Sequence, residues 1–145
     1  MGPEANAAAH LAGEPIRALA KLTRTFLDRL EHYLEQLTEP PVYAAVFGSA
    51  ATGTMTVLSD LDIFLVRDDG TSDDVWSLQI DELASTVTAW TGNDTRVVEY
   101  TVDDLRQADA EPIIRDIMDH GLTVAGSRAW LIKQMRVTPS KAQAR

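Results

Sequence analysis

Residues 42–66 read VYAAVFGSAATGTMTVLSDLDIFLV, and this stretch decides the fold. Val42 to Phe47 is short, apolar and rich in β-formers, the pattern of a buried strand. Gly48 lets the backbone turn closely. Ser49 supplies a hydroxyl and a backbone N–H at that turn. A loop of small residues follows, and Asp60-Leu61-Asp62 opens a second apolar run that ends at Val66. In a strand, residues two apart point to the same face. Asp60 and Asp62 therefore project side by side, with Leu61, Ile63 and Leu65 turned the other way. Two adjacent carboxylates repel each other and are costly to desolvate. A cation between them relieves both costs. Few hard oxygen ligands, with room for water and phosphate, suit Mg²⁺.

Gly48-Ser49, a gap of ten residues that ends in Ser59, and Asp60-x-Asp62 between two apolar strands form a specific combination. It resembles the signature of the DNA polymerase beta-like nucleotidyltransferase superfamily, and in particular its small stand-alone members, the minimal nucleotidyltransferases. The resemblance extends from Val42 to Gly126. It implies an α/β (α+β) fold: a short, twisted mixed sheet with helices mainly on one face, the open face carrying the carboxylates. It also implies a metal-dependent transfer of a nucleoside monophosphate, AMP from ATP as the leading case, to an acceptor hydroxyl. By the same resemblance Gly48 and Ser49 hold the nucleotide phosphates, while Asp60 and Asp62 ligate two Mg²⁺ ions. In the family a third carboxylate on a neighbouring strand completes the metal site and serves as general base. Glu99 is the residue whose position fits, so the implied catalytic and metal set is Asp60, Asp62 and Glu99.

Some small relatives are antitoxins that modify a tyrosine of a partner toxin with AMP; others modify antibiotic hydroxyls, usually with a further domain. At this length a partner protein is the expected acceptor. The chain also departs from the family pattern. Thr52 stands where relatives commonly carry Arg, and Thr54 to Leu58 is more apolar than usual. These departures support an alternative, a non-catalytic nucleotide-binding or antitoxin-like interaction module on the same fold.

The bulk properties agree with a small enzyme or binding module. The 145 residues, 45% hydrophobic, suffice for one domain with a core. With no cysteine there is no disulfide framework, thiol nucleophile or zinc–thiolate site. No apolar run approaches the roughly 20 residues of a membrane span. The first residues lack a basic region and an apolar core, so no secretory signal is read and a cytoplasmic location is expected. A net charge of −9 argues against a broad nucleic-acid surface, which needs clustered Lys and Arg.

Around the central stretch the expected elements are simple. Residues 1–14 read as a loose Ala-rich arm. From Ile16 the apolar spacing is helical until Pro40-Pro41 stops it. A helix is expected from Ser72 to Gly92, and a third strand over Asp94 to Thr101. A capped helical turn follows at Val102 to Leu105. Glu111-Pro112 opens another helix, which His120-Gly121 ends. Leu122 to Gly126 reads as a short edge strand. The domain proper is placed at 15–126, with a C-terminal helix and disordered tail over 127–145.

Overall fold

The computed structural model describes residues 24–54, 56, 58–107 and 111–143, with side chains of the last helix up to Met135. The expected arm at 1–14 and the first turns of the N-terminal helix lie outside the described residues. In chain order the elements are α1 (24–35), β1 (Tyr43–Phe47), α2 (Ser49–Thr52) and β2 (Leu61–Arg67). They continue as α3 (Asp73–Thr91), β3 (Thr95–Thr101), α4 (Val102–Arg106), α5 (Pro112–His120), β4 (Leu122–Ala125) and α6 (Arg128–Gln143).

One mixed sheet runs in the order β3-β2-β1-β4. β1 pairs antiparallel with both β2 and β4, and β2 pairs parallel with β3. The parallel pair needs a crossover, and α3 provides it. The local sequence sets the ends of that helix. Ser72 is the N-cap, Asp73 and Asp74 occupy the first turn, and Gly92 ends it in the left-handed conformation. Thr101 and Asp104 make a reciprocal capping box that turns β3 into α4.

The sheet is covered on both faces, not mainly on one. Ala44, Val46, Leu61, Ile63 and Leu65 form a core with Phe26, Leu30 and Leu34 of α1 and Trp76, Ile80, Leu83 and Val87 of α3. Tyr43, Ala45, Phe47, Phe64 and Val66 form a second core with Leu105, Ile114, Ile117, Leu131 and Met135 of α4, α5 and α6. The reason is legible in β1 and β2, which are continuous apolar runs rather than alternating ones. Strands buried on both faces require that pattern. Leu131 and Met135 make α6 part of this second layer, and its backbone continues through Gln143, past the expected start of a disordered tail.

Two polar clamps tie the layers together. Gln79, buried in α3, accepts from the Glu39 N–H at 2.8 Å and donates to the Glu39 carbonyl at 3.0 Å. The fully buried Tyr43 shares a hydrogen bond with the Thr123 hydroxyl at 2.9 Å and stacks on Trp130. Burial pushes the Tyr43 phenol above its ordinary pKa.

Candidate active site

The loop after β1 and the start of β2 meet at one sheet end. The register pairs Phe47 with Asp62, so Gly48 lies directly beside that carboxylate. Gly48 has φ 74° and ψ −147°, a conformation open essentially to glycine alone. A Cβ on Gly48 would also stand 2.4 Å from Asp62 Oδ2. Glycine is thus required twice, by the turn and by the carboxylate packed against it. Gly48 is the N-cap of α2, which places Ser49 at the first helical position. The Thr52 hydroxyl turns back on α2 and donates to the Gly48 carbonyl at 3.3 Å.

Asp62 is 7% exposed and lies on the face of Phe64 and Val66, the α4–α6 side. Asp60 precedes β2, and its side chain is 48% exposed. The structure brings the two together through a residue the sequence reading did not select. Arg96 is the register partner of Asp62 on β3. Its Nε donates to Asp62 Oδ1 at 2.8 Å, and its Nη1 lies 3.9 Å from Asp60 Oδ2. The hydrogen bond to Asp62, and then the Asp62 charge, raise the Arg96 pKa further above its ordinary value.

Glu99 does not join this group. It pairs with Leu65, three positions along β3 from the partner of Asp62. Three residues of strand are about 10 Å, and an odd separation reverses the face. Glu99 therefore points to the α3 side, where it accepts from the Trp76 indole N–H at 2.8 Å. Trp76 is 1% exposed, and a buried indole N–H needs such a partner. The expected cluster of Asp60, Asp62 and Glu99 is not formed. Among the described residues no group of three or more His, Asp or Glu side chains could hold a metal ion.

A second overlooked residue shapes the loop. The Asn93 amide donates to the carbonyls of Thr56 at 3.1 Å and Ser59 at 2.8 Å. The Leu61 N–H donates to the Asp94 carbonyl at 2.7 Å. The turn that ends α3 thus fixes the segment delivering Asp60. The signal in the sequence was only Gly92-Asn93, which reads equally well as plain helix termination.

Comparisons with known proteins place this fold in a family. A family model described as a nucleotidyltransferase domain matches residues 27–124. The chain belongs to the nucleotidyltransferase domain family. Structures similar to this nucleotidyltransferase include a toxin–antitoxin solved with AMP-PNP, at TM-score 0.56 and 21% identity over 81% of this chain and 87% of that one. Another is the toxin–antitoxin MntA–HepT, at 0.53 and 17%, covering 83% and 87%. A third is a tri-AMPylated Shewanella oneidensis HEPN toxin in complex with MNT antitoxin, at 0.53 and 15%, covering 84% and 87%. At these identities the likeness establishes the fold. No curated protein matches the chain at a comparable level. Among the described residues, no helix is long and apolar enough to cross a membrane.

The residues present fit one hard divalent cation in part. Asp60 and Asp62 offer an all-oxygen donor set beside the Gly48-Ser49 turn, which leaves the remaining positions to water and phosphate oxygens. The fit is incomplete in that Arg96 already spans both carboxylates.

Proposed function

We propose that this nucleotidyltransferase moves AMP from ATP to a hydroxyl of a partner protein, in the manner of an antitoxin acting on a toxin. The observation that carries the reading is the contact of Gly48 with Asp62, which joins the Gly48-Ser49 turn to the Asp60-x-Asp62 strand end in one site. The family match and the toxin–antitoxin neighbours, one with AMP-PNP and one with an AMPylated toxin, support it.

In this reading Gly48 and the backbone N–H groups of the Ser49 turn receive the β- and γ-phosphates. Backbone N–H groups need no reorganisation as charge builds on the departing pyrophosphate. Asp60 and Asp62 are the residues that would hold Mg²⁺, which when bound neutralises phosphate charge and orients the triphosphate. The acceptor oxygen bonds to the α-phosphorus, the bond to pyrophosphate breaks, and the proton of the acceptor hydroxyl passes to water or to the departing pyrophosphate. Holding the reactants in line is the main contribution of such a site. Glu99 has a supporting part here, as the anchor of Trp76 beneath the sheet.

The Arg96 pairing and the lack of a third carboxylate among the described residues favour one second reading, a nucleotide-binding module without catalysis. Calorimetry with ATP, GTP, CTP and UTP, with and without Mg²⁺, tests binding and names the base. ATP labelled at the α-phosphate, incubated with the protein and an extract of its native cells, tests transfer. Label on a protein supports the proposal. Mg²⁺-dependent ATP binding with no labelled product supports the module instead. Failure to bind any of the four nucleotides removes both readings for the isolated chain.

A further inference from the structure

We infer that Arg96 is a built-in counter-cation of the Asp60/Asp62 pair, which an incoming divalent ion displaces and which then binds the nucleotide's phosphates. The inference deepens the proposed function, and its phosphate half rests on that reading.

Three observations carry it. First, Arg96 spans the same two carboxylates that a bridging ion would need, at 2.8 Å from Asp62 Oδ1 and 3.9 Å from Asp60 Oδ2. Second, Oδ1 of Asp62 is already engaged by Arg96, while Oδ2 lies on the Gly48 side, where a Cβ would be 2.4 Å away. An ion that takes Oδ1 must first remove the guanidinium. Third, Arg96 can leave. Its side chain is 63% exposed, and among the described residues its recorded ion pairs are these two alone. Because Asp62 is buried, the guanidinium leaves when another cation takes its place beside the carboxylate.

The freed guanidinium remains charged and carries five N–H donors in a planar fork. Metal and triphosphate arrive together, so phosphate oxygens stand beside it as it is released. A bidentate Arg–phosphate contact is stronger than a neutral hydrogen bond. No basic residue lies on α2, and Arg96 is a cation already in place at the carboxylates. The pair of carboxylates is thus neutralised in the free protein and opened only by a charged nucleotide complex. A free divalent ion alone meets competition.

The test compares wild type with Arg96→Met, which keeps length without charge, and Arg96→Lys, which keeps charge without the fork. Mn²⁺ binding is followed by electron paramagnetic resonance without nucleotide, and Mg²⁺·ATP binding by calorimetry. Circular dichroism checks the fold. R96M should bind Mn²⁺ roughly three- to tenfold more tightly than wild type, while R96K stays near wild type. R96M should bind Mg²⁺·ATP about tenfold more weakly. The two shifts of opposite sign identify a displaced counter-ion that turns to phosphate. Unchanged or weaker Mn²⁺ binding by R96M, with normal ATP binding by wild type, overturns the inference and leaves the nucleotidyltransferase reading intact. Tighter Mn²⁺ binding without ATP binding by any form upholds the counter-ion and removes the phosphate half.

Discussion

Asp62 and Glu99 make an instructive pair. Both are carboxylates on neighbouring strands, and each accepts an N–H at 2.8 Å. Their donors differ. Asp62 faces Arg96, a charged and exposed side chain. Glu99, itself exposed, faces the indole of Trp76, which α3 buries against the sheet. Chemistry at a carboxylate requires a partner that can give way. Arg96 can, because water and phosphate can replace it. Trp76 gives way less readily, because leaving its buried N–H unpaired costs the desolvation of that group. One strand thus carries a partner for the site on one face and a structural anchor on the other.

That contrast can be broken at several points. The largest effect should come from Trp76→Ala, which empties the α3 side of the sheet and should cost about 3–5 kcal/mol in urea unfolding. A loss below about 1 kcal/mol would show that the Glu99 face is not built around this ring. Gly48→Ala strains a glycine-only backbone, at about 1–3 kcal/mol, and pushes on Asp62 Oδ2. It should lower both stability and nucleotide binding; normal binding would separate the turn from the site. Glu99→Leu should cost about 1–3 kcal/mol by stranding the indole N–H, while Glu99→Gln, which keeps an acceptor, should cost less than about 1 kcal/mol. Equal losses in the two would remove the hydrogen bond as the cause.

The smallest effect concerns Tyr100, next in chain to Glu99 but on the Asp62 face. Burial, followed by its hydrogen bond to Glu111, pushes its phenol up to about 12. A raised pKa means the folded state holds the proton more tightly. This contribution to stability is therefore complete below 10.0, the ordinary tyrosine value, and lost as pH rises through about 12. Ultraviolet titration of the phenolate should show that late midpoint, and Glu111→Gln should bring it down. An unchanged midpoint in the variant would exclude Glu111 as a cause.

Much of this molecule is legible in residues 42–66. Apolar runs on either side of Gly48-Ser49 and Asp60-x-Asp62 correspond to β1 and β2, and Ser72, Gly92 and the Thr101–Asp104 box mark helix ends by local chemistry. Two features escaped because they depend on partners distant in sequence. The unbroken apolar character of β1 and β2 signalled cover on both faces, yet a fold resemblance suggested one. Alternation along the third strand sets Val98 and Tyr100 opposite Glu99, but only register against β2 shows that Arg96 sits beside Asp62. A carboxylate in an apolar strand also has two explanations, a metal or a buried donor. Only the position of Trp76 decides between them for Glu99.

The most direct test measures Mg²⁺-dependent ATP binding by calorimetry for wild type, Asp62→Asn and Glu99→Gln in parallel. If the Asp62 face is the site, Asp62→Asn abolishes binding and Glu99→Gln keeps it within about twofold, an effect no larger than that of a weak exposed contact. If a folded Glu99→Gln loses binding as fully as Asp62→Asn, the division of the two faces into site and anchor is wrong.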